Sequence, residues 1–159
     1  MNIDFSQLSF LIIEDSAFMR GILRTILRGF GARSLYEAED GVSGLVELEK
    51  TTPDIVLVDW QMPGMDGLEM VRRIRRPDHP QAYVPIILIT AHTERHRVLS
   101  ARAAGVHEVL CKPVSAAALH KRVASILFQP REFVRDGDYF GPRIRQGSAD
   151  PPPVPVIGS

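Results

Sequence analysis

Short, nearly unbroken apolar runs, each ending in polar residues and each followed by a stretch of helical period, constrain this chain most. Leu8-Ser9-Phe10-Leu11-Ile12-Ile13 stops abruptly at Glu14-Asp15. Phe18, Met19, Ile22, Leu23, Ile26, Leu27 and Phe30 follow at spacings of three and four, which predicts an amphipathic helix. Gly31 ends it as a left-handed cap residue would. The pattern then repeats. A weak strand is predicted over 33–38 and a helix over 41–50, before the β-branched run Asp54-Ile55-Val56-Leu57-Val58-Asp59. A helix over 67–76, a strand over 84–90, a helix over 93–104, a strand over 108–111 and a helix over 115–128 complete it.

Five β-α pairs in this order predict an α/β fold, a doubly wound five-stranded parallel sheet with right-handed crossovers. Strands apolar on both sides fit a sheet covered by helices on both faces. Ligands of such sheets bind beyond the carboxyl ends of the strands, so chemistry is sought there. The balance of 19 basic and 19 acidic residues argues against a nucleic-acid or membrane-surface binder. No apolar run approaches the ~18 residues of a membrane span, and a cytoplasmic protein is expected. The single Cys111 excludes an intrachain disulfide and is read as a buried small apolar residue.

Composition shifts near residue 129, where a Pro-rich C-terminal tail over 129–159 begins. Residues 147–159, with Pro151-Pro152-Pro153, read as disordered with polyproline character. Between them, Arg131-Glu132-Phe133-Val134-Arg135 and Tyr139-Phe140-Gly141-Pro142-Arg143 interleave aromatics with arginines. Two readings stay open here, a disordered tail or a short docking segment that folds back or binds a partner.

The strand ends carry a non-random set: Glu14 and Asp15 after the first, Asp59 at the third, Thr90 at the fourth, and Lys112-Pro113 after the fifth. Converging carboxylates repel each other, and a hard divalent cation with oxygen ligands, Mg²⁺, would remove that cost. A lysine ammonium and a threonine hydroxyl beside it complete a pocket for a phosphoryl group. Asp59 could then attack phosphorus and form an acyl phosphate.

With these residues placed, the chain resembles a response regulator receiver domain of two-component signalling, of the stand-alone type, over residues 8–128. The resemblance rests on Ile13-Glu14-Asp15, Glu37-Ala38-Glu39-Asp40-Gly41, Val58-Asp59, Met62-Pro63-Gly64-Met65-Asp66-Gly67, Thr90-Ala91, Ala103-Ala104-Gly105 and Lys112-Pro113 at their spacings. It implies a flavodoxin-like (βα)5 fold with Asp59 as phosphoacceptor. It also implies Mg²⁺ held by Asp15, Asp59 and the backbone carbonyl of Gln61, with Glu14 acting through water. Thr90 and Lys112 would hold the phosphoryl oxygens, Ala91 would leave them room, and the Lys112-Pro113 bond would be cis. Gln61 and His92 occupy positions where relatives tune phosphate loss. Where relatives often carry an aromatic switch residue, this chain has Val109, so aromatic-coupled switching is in doubt and the loop before the fourth helix is expected to carry the signal.

The implied partners are a histidine kinase or histidine phosphotransfer protein as donor, and a downstream protein at the face of the fourth helix, fifth strand and fifth helix. A homodimer through that face is also open. Catalysis would be limited to the chain's own phosphotransfer and autodephosphorylation. The residues after 128 are too few for a DNA-binding output, so a switch of protein contacts is expected. The alternative is a phosphorelay intermediate or phosphate sink. An aspartyl-phosphate hydrolase would want a second aspartate two residues after Asp59, where Gln61 stands. Arg72, Arg73, Arg75 and Arg76 read as a solvated helix end, and His92 and His96 as a surface pair.

Overall fold

A computed structural model describes residues 2–92 and 94–144, together with the backbone of Val154–Pro155. Five strands, β1 (Ser9–Ile13), β2 (Ser34–Ala38), β3 (Ile55–Asp59), β4 (Ile86–Thr90) and β5 (Glu108–Cys111), form one sheet in the order β2-β1-β3-β4-β5. Every adjacent pair in it is parallel. The helices α1 (Ala17–Gly29), α2 (Gly41–Thr51), α3 (Gly67–Ile74), α4 (Arg95–Ala104) and α5 (Ala116–Phe128) alternate with the strands. This is the doubly wound parallel sheet expected from the alternating pattern, in the flavodoxin-like form that the resemblance implies.

Side chains alternate across each strand, so the sheet divides the core in two. Leu11, Ile13, Val56, Val58, Ile86 and Leu88 face α2, α3 and α4, where Leu48, Leu68, Met70, Val71 and Ile74 cover them. Phe10, Ile12, Ile55, Leu57, Ile87 and Ile89 face the other way, onto Leu23 and Leu27 of α1 and Leu119 and Val123 of α5. The helices begin where short polar side chains can cap them. Ser16, Asp40, Asp66 and Ser115 accept from the backbone N–H of Met19, Ser43, Glu69 and Ala118. α4 lacks such a cap, and its buried residues are only Ala101 and Ala104.

Several expectations are corrected. The folded unit starts before residue 8, because Phe5 in a single 3-10 turn is buried against Phe10, Phe30 and His120. Phe18 does not join the buried stripe of α1 and is 76% exposed, since it stands in the first turn, beyond the cover of the sheet. Cys111 is exposed rather than buried, at the last position of an edge strand. Arg75 leaves the solvated group of arginines altogether, with 4% exposure.

Of the two readings left open after residue 128, residues 133–142 take the one that folds back on the preceding chain. β6 (Phe133–Asp136) and β7 (Tyr139–Pro142) form an antiparallel hairpin, and β8 (Val154–Pro155) pairs with the other edge of β6. Apart from β8, the polyproline reading of residues 147–159 lies outside the described residues.

Candidate phosphoryl-accepting site

The carboxyl ends of β1, β3 and β5 bring the predicted acids and the lysine together. β3 lies between β1 and β4 in register, with Val58 opposite Ile13 and Asp59 opposite Ile89. Asp59 is therefore the last residue of a central, wholly buried strand, and its own exposure is 4%. Lys112, just past β5, reaches back so that Nζ lies 3.0 Å from Asp59 Oδ1 and 3.6 Å from Glu14 Oε1. The Lys112-Pro113 bond is cis.

Glu14, Asp15 and Asp59 each present a carboxylate oxygen, all within 4.8 Å of one another. Glu14 and Asp59 are buried and Asp15 is exposed. Burial pushes the Glu14 carboxyl up to about 8, and its hydrogen bond to Asp59, the charge of Asp59 and that of Asp15 act in the same direction, while Lys112 opposes them. Burial pulls the Lys112 ammonium down, but its hydrogen bond to Asp59 and the two carboxylates outweigh this and raise it. The lysine thus stays charged and neutralises part of a crowded acidic site.

The donor set fits a hard cation. Glu14 Oε2 is buried without a hydrogen-bond partner, and three clustered carboxylates with one solvent-facing member match the oxygen preference of Mg²⁺. Glu14, Asp15 and Asp59 would hold it, and when bound it would supply positive charge for a phosphoryl oxygen.

Thr90 ends β4 and is buried, and its Oγ1 accepts from the backbone N–H of His92 at 2.9 Å. The hydroxyl is thereby tied to the loop that leads into α4. Ala91 is exposed beside it. Gln61 Nε2 donates to His92 Nε2 across the mouth of the site, so the two positions beyond Asp59 and Thr90 touch each other. His92 precedes α4, and only His96 lies on that helix. Val109 is partly buried and packs into the core cluster under α2, α3 and α4.

Three residues of the site, Arg20, Trp60 and Arg97, are not singled out by the sequence patterns, and Gly67 enters them only as part of a motif. Arg20 Nη1 donates to the carbonyl of Glu14 at 2.6 Å and its Nε lies 3.5 Å from Glu37, tying the acidic loop to β2. The place of Arg20 in the first turn of α1, just past the acidic pair, is its only sequence signal. Trp60 follows Asp59 and is buried, with the Arg97 guanidinium of α4 over its ring at 5.6 Å. Gly67 packs so closely behind the site that a Cβ there would lie 2.3 Å from the carbonyl oxygen of Asp59.

The protein-family model of the response regulator receiver domain matches residues 10–124. The chain belongs to this family. Chemotaxis protein CheY-3 of Vibrio cholerae serotype O1 is 37% identical to it over 116 residues, 73% of this chain and 88% of the relative. Chemotaxis protein CheY of Pseudomonas aeruginosa is 34% identical over 116 residues, 73% of this chain and 93% of the relative. Among solved structures, CheY4 of Vibrio cholerae superposes with a TM-score of 0.70 at 27% identity, covering 76% of this chain and 98% of its own. Asp59 and its neighbours stand within the receiver match, whereas the β6–β7 hairpin lies beyond it. Among the described residues no helix is long and apolar enough to cross a membrane.

Proposed function

We propose that the chain is a phospho-accepting response regulator of the cytoplasm, with Asp59 taking a phosphoryl group from a phosphohistidine on a kinase or phosphotransfer protein. The observation that carries this reading is the buried Asp59 carboxylate held 3.0 Å from the Lys112 ammonium, beside two further carboxylates. An oxygen of Asp59 attacks phosphorus while the P–N bond to the donor imidazole breaks, and the imidazole nitrogen keeps the bonding pair and takes a proton. Lys112 and the Thr90 hydroxyl face the incoming phosphoryl oxygens, and the small Ala91 leaves room for them. Glu14, Asp15, Asp59 and the Gln61 carbonyl are the proposed Mg²⁺ ligands, Glu14 through water. Gln61 and His92, in contact across the pocket mouth, govern water access and hence the lifetime of the acyl phosphate.

To hold the phosphoryl group, Thr90 must turn from the His92 N–H, which releases the loop before α4. That movement changes the face of α4, β5 and α5, where a downstream protein or a second copy of the chain docks. Val109 offers no aromatic readout, so the loop and α4 carry the signal.

The relay alternative is separated by one experiment. Incubation with a labelled phosphohistidine protein and Mg²⁺ should label the wild-type chain and not Asp59→Asn. A partner captured only by the phosphorylated chain supports the switch. Rapid return of label to a histidine protein, with no stable complex, supports the relay.

A further inference from the structure

The hairpin lies outside the receiver match, yet it is built into the core at the end of the sheet opposite Asp59. Its anchor is Arg75, one residue past α3. The guanidinium donates to the carbonyl of Gly105 at 2.8 Å, to that of Ala82 at 2.7 Å and to His107 Nδ1 at 3.2 Å. Phe133 of β6 lies over it, 4.9 Å from ring centroid to Cζ. Tyr83 packs edge-on against both Phe133 and Phe140, and these two rings touch each other. Burial pulls the guanidinium down to about 9, which leaves it cationic at neutral pH.

A second set of contacts reaches β5 and α5. Arg131 donates to the carbonyl of His107 at 2.7 Å and pairs with the buried Glu108, which Arg122 and Ser125 of α5 also meet. β7 closes directly on the end of α4. A Cβ at Gly141 would lie 3.1 Å from the Cα of Gly105, the residue whose φ of +107° ends that helix.

α4 is the helix with least hold of its own, for it has no side-chain N-cap and buries only two alanines. Its start is tied to the phosphoryl site through the Thr90–His92 bond and the Arg97–Trp60 contact. Its end is tied to the hairpin through Gly105. We propose that residues 131–143 are an intramolecular strap that holds α4 in the arrangement of the unphosphorylated protein and so opposes phosphorylation of Asp59. This rests on the phosphoacceptor reading above. An open pocket of about 380 Å³, lined by Pro85, His107, Ser125, Pro130, Arg131 and Phe133, flanks the start of the strap, so its packing there is incomplete. Linkage requires the converse as well: a phosphoryl group on Asp59 loosens the strap.

The full chain is titrated with beryllofluoride and Mg²⁺, followed by Trp60 fluorescence, as wild type, Gly141→Val and Phe133→Ala, with thermal melts to confirm folding. Gly141→Val crowds both the Tyr139 phenol, 2.8 Å from the added Cβ, and Gly105, and so lifts β7 without removing a core side chain. Both variants should bind the mimic about fivefold more tightly. In wild type, the mimic should speed hydrogen exchange at the backbone amides of Gly105 and Arg143, which donate to the carbonyls of Arg102 and Glu132. If either variant fails to fold, this wild-type exchange decides alone. Equal affinity within about twofold, or exchange in the strap unchanged by bound mimic, overturns the proposal. No binding by wild type removes the phosphoacceptor reading and the strap with it, whereas binding without coupling removes only the strap.

Discussion

At the scale of single residues, the site is a balance of three carboxylates against one ammonium. Lys112 is 27% exposed on its side chain, while its partners Glu14 and Asp59 are nearly sealed from water. Removing it leaves two buried acids without their counter-charge, which protonation of Glu14 can relieve because that carboxyl is already displaced upward. Lys112→Ala should therefore fold, as a circular dichroism melt will show, and lose about tenfold or more in affinity for beryllofluoride, in keeping with a truncated charge pair. An unchanged affinity would take Lys112 out of the mechanism. These residues were legible in the sequence because strand ends of a parallel sheet converge by topology alone. Arg20 and the Arg97–Trp60 pair were not, since their contacts depend on how two separate elements lie against each other.

At the scale of elements, Arg75 shows how far a charge can be absorbed when its donors are used. Leu68, Val71 and Arg75 stand at spacings of three and four, so the guanidinium emerges on the buried face of the third helix, while Arg72, Arg73 and Arg76 stay exposed. That periodicity was present in the sequence. The charge masked it, because an arginine at a helix end is ordinarily solvated. Arg75→Leu strips two backbone carbonyls of their donor and should destabilise the protein by about 3 kcal/mol. A calorimetric melt should show this as a fall of roughly 10 °C. Arg76→Leu, at an exposed position, should stay within about 0.5 kcal/mol of wild type. Equal effects for the two would contradict the assigned anchor.

At the scale of the whole molecule, the sheet and its helices were readable from 8–128, because each strand and stripe declares its own period. The segment after 128 left disorder and docking both open. Phe133 and Phe140 are too few to build a core and become buried against Ala82, Tyr83, Arg75 and His107, which lie far back in the chain. Tyr139 reports this docking. Burial pushes its phenol up to about 12, against the opposing charges of Arg75 and Arg131, and its hydroxyl donates to the carbonyl of Pro142. The neutral phenol is favoured in the folded chain, so its contribution is fully present below the ordinary tyrosine value of about 10. It is lost as pH rises through about 12. An alkaline titration of tyrosinate absorbance should contain one late component that Tyr139→Phe removes, and its persistence in that variant would assign it elsewhere.

The central claim is that Asp59 is the residue that becomes phosphorylated. The most direct measurement is to phosphorylate the chain with acetyl phosphate and Mg²⁺, trap the acyl phosphate with borohydride, and map the reduced residue by peptide mass spectrometry. The trapped homoserine should stand at position 59 and nowhere else, and disappear when Mg²⁺ is chelated. Homoserine at another aspartate, or none in a folded chain under these conditions, would contradict the account.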